Sequence, residues 1–359
     1  MLIREIRIKF NDLFASTISV DQCETCFNSG PTRPREGDYN YMKAIRVHEF
    51  GGIDKLSVDE VETPSPESGE ILIRTRASGV NYADVMMRGG NYLTKPPLPY
   101  TLGFEVAGTV EQIGDGVSNF SIGDRVLASA LGGGYAEYAV AKAAGVVPIP
   151  DDLEFSKATA LLVQGLTALG LLDTTKSGDS ILIHAAAGGV GSLIVQLAKL
   201  KGLTVIGTAS STSKLEFVTS LGADFAINYT EADWTDQVLE ATENKGVDWI
   251  IEMVGGEIVG HNLKVLAKSG TMWIYGAASG EDYRLSVLSL MQKNHIVRGY
   301  WLTNETVANR IRFTKELLEH IDASRLKIQV TEFPLENAAD AHAAVEARKT
   351  MGKVVLTVG

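Results

Sequence analysis

Cysteine is almost absent from this 359-residue chain: two occur, Cys23 and Cys26. That excludes a secreted scaffold held by disulfides, fits a reducing cytosol, and leaves the Cys-x-x-Cys pair without a second pair to complete a zinc site. Positive charge is also short. A formal net charge of −11 offers no basic face for phosphate neutralisation, so nucleic acid is not an expected partner. The six histidines are scattered without metal-ligand spacing, and no internal repeat of solenoid length is visible. The stretch from Ile181 to Ala198 carries no formal charge, but His184 and three glycines interrupt it, which argues against a membrane span. What remains is 45% hydrophobic and 21% charged, an ordinary soluble composition in a chain long enough for two domains.

That uncharged stretch is the most informative one. An apolar run, Ile181-Leu-Ile-His-Ala-Ala-Ala, breaks at Gly188-Gly189-Val190-Gly191 and resumes as a helix former. Strand, tight turn and helix follow in that order. Glycines let backbone amides approach a ligand closely, and the helix points its positive end at the same spot, which suits a pyrophosphate. A second strand at Leu203–Thr208 completes a βαβ unit. The acid that would hold adenosine ribose hydroxyls is missing from its end, which reads Gly-Thr-Ala-Ser210-Ser-Thr-Ser-Lys214. Hydroxyls and one lysine suit a 2′-phosphate, so NADP(H) is expected over NAD(H). The same loop also reads as a cap, with Ser213 starting a helix at Lys214.

Texture divides the chain. Residues 1–41 read as an N-terminal extension, expected to be disordered; Glu5, Asp12 and Asp21 spoil a transit-peptide signature. From Met42 to about Pro150, glycine-punctuated strands suggest a partly open barrel. Beyond it, helices expected at Phe155–Leu172, Leu193–Lys201, Lys214–Leu221 and Trp234–Thr242 alternate with strands at Ser180–Ile183, Thr204–Gly207, Phe225–Asn228, Trp249–Glu252 and Thr271–Tyr275. Alternation of this kind specifies a doubly wound parallel sheet. From about Tyr300 the tail is expected to return to β character and rejoin the first domain.

Several separated motifs resemble one family: Gly79-Val-Asn81-Tyr-Ala-Asp84, Arg88-Gly-Gly-Asn-Tyr92, Gly103-Phe-Glu105-Val-Ala-Gly, Gln164-Gly-Leu-Thr167-Ala, the glycine turn, Ile227-Asn-Tyr229 and Gly352-Lys-Val-Val-Leu. From Met42 to Gly359 they are similar to the zinc-independent, zeta-crystallin-like quinone oxidoreductases of the medium-chain dehydrogenase/reductase superfamily. The resemblance implies an α/β fold: a Rossmann domain over residues 165–300, and a GroES-like domain over 42–164 and 301–359. Zinc relatives carry a cysteine at the position of Asn81 and a histidine at that of Phe104, so no metal ligand set is expected.

The implied reaction is hydride transfer from NADPH to a quinone or other electron-poor acceptor, with the protein supplying placement. Asn81 and Tyr92 are the implied catalytic residues, the tyrosine as proton donor; Asp84 is included with them, although it also reads as a structural partner of Arg88. Met86 stands where many relatives carry an aromatic residue, widening the acceptor pocket. Cofactor contacts are implied for Asn81, Thr167, Gly188, Gly189, Val190, Gly191, Ser210, Lys214, Tyr229, Tyr275, Ala277 and Lys353. A small-molecule substrate, a homodimer paired through Thr271–Tyr275 as edge strand, no membrane and a cytoplasmic location complete the expectation. Two alternatives stand beside it: an alkenal or enoyl-thioester double-bond reductase, and a non-catalytic NADPH-binding structural protein.

Overall fold

The computed structural model describes residues 41–359; the extension, with both cysteines, lies outside the described residues apart from Tyr41. Strand Glu70–Val80 organises the first half of the chain. Ile71, Leu72, Ile73, Ala77 and Val80 are all buried along it, and it pairs antiparallel with Glu105–Ile113, Tyr138–Lys142 and Lys353–Thr357. The sheet runs Val330–Pro334, Lys353–Thr357, Glu70–Val80, Glu105–Ile113, Arg125–Ser129, Val147–Pro148, with Tyr138–Lys142 paired off the central strand. A smaller sheet orders Leu56–Glu62, Tyr41–Val47 and Tyr100–Thr101 beside it.

The second half forms a six-stranded parallel sheet in the order Phe225–Asn228, Thr204–Ala209, Ser180–Ile183, Val247–Glu252, Leu266–Ile274, Ile296–Gly299. Counted along the chain the order is 3-2-1-4-5-6. The direction of winding therefore reverses between Ser180–Ile183 and Val247–Glu252, and the crevice beyond their carboxyl ends is where such sheets bind ligands.

Two expectations fail here. Thr271–Tyr275 is not the edge: Ile296–Gly299 pairs outside it, a four-residue strand too short to show as a pattern. Nor does the tail turn directly to β structure. The helix Val307–Asp322 comes first, and Phe313, Leu317 and Leu318 on it join the core shared with Leu161, Leu166 and Leu169. Those leucines lie in Phe155–Leu172, long and apolar enough to cross a membrane by composition, but 78% buried inside the molecule. The same core takes in Leu127 and Val147 from one sheet and Ile181 and Ile183 from the other, so the two halves share one interior.

The helix after the glycine turn starts at Gly189, four residues before the expected Leu193. Gly189 and Gly191 therefore sit within its first turn. Gly191 has negative φ, and what demands glycine there is proximity: a β-carbon would stand 2.8 Å from the Cα of Ala186. Helix and turn meet at that point without room for a methyl group.

Candidate active site at the reversal of the parallel sheet

The crevice is built from the glycine turn outward. Ala185 takes a left-handed conformation with φ 50, turning the chain so that Gly188 N–H bonds Ala185 O at 2.8 Å. The helix Gly189–Leu200 then begins without a side-chain cap. Its first internal bond runs from Ser192 N–H to Gly188 O, leaving the amides of Val190 and Gly191 without a backbone acceptor among the described residues, while Gly188 bridges in parallel to Gly352. Residues 188 to 190 are only half-buried. Unpaired donors at a helix start attract an anion.

The returning tail closes onto this turn. Gly352 N–H donates to Ala187 O at 2.8 Å, which brings the next residue, Lys353, into the interior at 1% exposure. Its ammonium donates to Asn81 Oδ1 at 2.9 Å and to Glu105 Oε1 at 2.5 Å. Asn81 Nδ2 donates to the same Glu105 oxygen at 2.9 Å. Glu105, fully buried, uses its other oxygen to accept Val163 N–H at 2.8 Å. Asn81 is thus clamped through both ends of its amide by a buried charge pair. A desolvated pair of this kind survives only because hydrogen bonds saturate it.

Beneath Asn81 lies a second buried network. Asn81 N–H donates to Asp84 Oδ2 at 2.8 Å, fastening the first turn of helix Tyr82–Arg88. Burial pushes the Asp84 carboxyl up to about 7. The expected Asp84–Arg88 pair does not form. Arg88 bonds Gly51 O at 3.1 Å and Glu346 at 2.7 Å, and its Nη1 lies 3.2 Å from His342 Nδ1. A guanidinium can only donate, so His342 accepts at Nδ1 and carries its proton on Nε2, 3.3 Å from the Tyr135 hydroxyl. Tyr135 lies beside Asp84, and burial raises its phenol well above the usual range. Burial, aided by the Arg88 charge, holds His342 neutral, down at about 3. Asp84 is fully buried, so it supports Asn81 from below rather than facing the crevice.

Tyr92 stands at the crevice wall, its ring 6.1 Å from Phe104 and 5.6 Å from Trp301. Its hydroxyl makes no hydrogen bond to the described residues. Burial first, then the Asp84 charge, raises it above the ordinary phenol range. Across the crevice, the Tyr82 hydroxyl donates to Ala278 O at 2.8 Å, tying the active-site helix to the loop after strand Leu266–Ile274. Tyr275 and Ala277 begin that loop. Thr167 is buried within Leu166–Leu172.

Ser210 follows strand Thr204–Ala209. The next helix starts at Thr212 with Ser211 as its cap residue, so Ser213 is not the cap. Lys214 Nζ donates to Arg348 O at 2.5 Å, and Arg348 Nη1 lies 3.5 Å from the Tyr229 hydroxyl. Lys214 and Tyr229 are therefore brought together, with an arginine that motif reading missed. Glu105, within the Gly103-Phe-Glu105 motif, and His342 are further site residues whose partners no local pattern in the sequence reveals. Lys353 faces Asn81 and Glu105 rather than the crevice mouth.

Residues 67–151 match the alcohol dehydrogenase GroES-like domain, and residues 189–318 match the zinc-binding dehydrogenase family. Quinone oxidoreductase of Rattus norvegicus is 37% identical over 322 residues, which cover 88% of this chain and 97% of that protein. The chain belongs to the quinone oxidoreductases of the medium-chain dehydrogenase/reductase superfamily. A 2-haloacrylate reductase of Burkholderia sp. is 35% identical over 88% of this chain and 98% of its own. The Escherichia coli quinone oxidoreductase complexed with NADPH superposes with a TM-score of 0.84 at 32% identity, over 88% of this chain and all of that one. In this quinone oxidoreductase homologue, Asn81 opens the helix Tyr82–Arg88 and Phe104 packs against Tyr92. Among the described residues, no three His, Cys, Asp or Glu side chains cluster as a metal site would require.

The buried Asp84 gives a pH signature. Its folded value, about 7, lies above the unfolded carboxylate value near 4, so ionising it costs stability increasingly as pH rises between the two. His342, held at about 3, acts in the opposite sense, and only below about pH 6.5. Relative to Asp84→Asn, neutral throughout and still an acceptor for Asn81 N–H, the thermal midpoint of the unaltered protein should therefore fall from about pH 4 to about pH 7 and level off above it. Equal slopes in the two proteins would remove Asp84 as its source.

Proposed function

We propose that this protein is an NADPH-dependent, metal-free reductase that delivers hydride to a quinone or a related electron-poor acceptor. One observation carries the cofactor reading: an uncapped helix start at the reversal of a 3-2-1-4-5-6 sheet, with Lys214, Tyr229 and Arg348 gathered near the end of the neighbouring strand. The amides of Val190 and Gly191 suit a pyrophosphate, and the Lys214–Arg348 cluster with Ser210 suits a 2′-phosphate, whose charge the absent acid would have repelled. Thr167, Tyr275 and Ala277 would line the nicotinamide end. When bound, NADPH supplies the hydride.

The chain's own contribution is orientation and a proton. Asn81, held at both ends, would offer its second amide N–H to the acceptor. Tyr92, whose raised value keeps its hydroxyl protonated at neutral pH, would donate to the oxygen that gains charge. Phe104, Tyr92 and Trp301 supply an apolar wall for a planar acceptor. Asn81 and Phe104 are not thiolate or imidazole ligands, so activation rests on hydrogen bonding and position. The 2-haloacrylate reductase among the relatives supports a second reading, reduction of an activated carbon–carbon double bond.

A homodimer formed through Ile296–Gly299 fits the same structure. Val287, Leu288 and Met291 on the helix before that edge strand are 68%, 76% and 66% exposed, more apolar surface than a monomer usually leaves together. Sedimentation equilibrium reads this directly; a monomer at micromolar concentration would contradict it. A cytoplasmic location suits a chain with so few cysteines.

NADPH oxidation should be followed with 1,4-benzoquinone, 9,10-phenanthrenequinone, a 2-alkenal and crotonyl-CoA. Saturable turnover with the quinones, reduced in Tyr92→Phe without loss of NADPH affinity, is the expected result. Turnover confined to the alkenal or thioester would transfer the assignment to double-bond reduction, and silence with NADPH bound would favour a non-catalytic protein. Lys214→Ala should weaken NADPH binding by about tenfold or more while leaving NADH within about twofold, the scale of one charge-assisted hydrogen bond. Equal losses for both cofactors would overturn the 2′-phosphate assignment.

A further inference from the structure

The helix Phe155–Leu172 is not regular. Over Leu161–Gly165 its turn widens to a π-helix, a distortion that costs stability and often marks a functional position. Gln164 sits in that turn. It is 8% exposed, and its Oε1 is buried with no hydrogen-bond partner among the described residues. Leaving a buried carboxamide oxygen unpaired costs its full desolvation with nothing in return. The side chain abuts the glycine turn: a β-carbon at position 189 would run into its carboxamide. An unpaired acceptor is therefore held at the start of the helix whose Val190 and Gly191 amides are unpaired donors.

We propose that Gln164 is a cofactor-binding residue whose Oε1 accepts a hydrogen bond from a hydroxyl of the nicotinamide-side ribose. The assignment rests on the NADPH reading above and adds the group that Gln164 recognises. Phosphate oxygens at neutral pH offer no proton to an acceptor, whereas ribose hydroxyls do. The adenosine ribose belongs to the other end of the crevice, where Lys214, Tyr229 and Arg348 gather. Gln164 lies on the side of Asn81. The amide of its neighbour Val163 is held by Glu105, the residue that also holds the Asn81 amide. One carboxylate thus sets the position of the ribose contact and of the residue expected beside the nicotinamide. In this arrangement the π-turn serves a purpose: it places the carboxamide against Gly189.

Gln164→Met removes both polar atoms at nearly constant length. Its dissociation constant for NADPH, read from cofactor fluorescence, should rise about tenfold, the scale of one net hydrogen bond to a buried group. Affinity for 2′,5′-ADP, which lacks the nicotinamide half, should stay within about twofold. Unchanged NADPH affinity would overturn the proposal. Equal weakening of both ligands would overturn it too, since that result describes a loosened glycine turn. In the unaltered protein, independently of how the variant folds, the side-chain NH2 resonance of Gln164 should shift with NADPH and stay in place with 2′,5′-ADP; a resonance indifferent to NADPH contradicts the contact. Failure of the unaltered chain to bind NADPH at all would remove the cofactor reading itself, and this proposal with it, an outcome distinct from the others.

Discussion

The ion pair between Lys353 and Glu105, buried to 1% and 0% side-chain exposure, is the constraint on which the site depends. Two charges withdrawn from water are costly, and an apolar pair of similar volume would often serve folding as well or better. What an apolar pair would not supply is orientation. The ammonium and the carboxylate grip opposite ends of the Asn81 amide, and the second carboxylate oxygen fixes the backbone of the π-turn. Four segments far apart in sequence are thereby set relative to one another.

Electrostatics then divides the crevice into two ends with different tasks. Toward the adenosine side, a helix start and a cluster of cationic and hydroxyl groups favour negative charge. Toward the reaction side, charge is internally neutralised or buried. Lys353 is spent on Glu105; Arg88 is spent on Glu346 and on a neutral histidine. In the proposed site, what remains to face an acceptor is an amide, a protonated phenol and aromatic surface. That is an environment for a neutral, electron-poor molecule, stabilising charge only as it develops. A quinone, the acceptor in the name of the Rattus norvegicus relative, is a molecule of this description.

Much of this was legible in the chain where one local pattern decided the outcome. The strands Ser180–Ile183 and Phe225–Asn228 and the helix Phe155–Leu172 fall where periodicity and glycine breaks put them. The helix at the glycine turn begins earlier than its pattern suggests because Gly189 and Gly191 look like loop residues, yet Gly189 packs against Gln164 and Gly191 against Ala186 within its first turn. Elements that depend on distant partners were not legible. Ile296–Gly299 is a strand only because Leu266–Ile274 offers it an edge. His342 and Arg348 acquire roles from residues more than a hundred positions away. Glu105 and Lys353, 248 residues apart, carried no joint signal at all. Gln164 stands in a recognisable motif, but its unpaired buried oxygen is visible only in the fold.

The most direct test of the account is the single-turnover hydride-transfer rate in the double variant Glu105→Gln/Lys353→Met. Both charges are removed together, so neither is left buried alone and the fold should persist. The account predicts an intact cooperative unfolding transition, with hydride transfer at saturating NADPH slowed by about tenfold or more as Asn81 loses its fixed orientation. A folded double variant that transfers hydride at the unaltered rate would contradict it, and would reduce the buried pair to a packing feature.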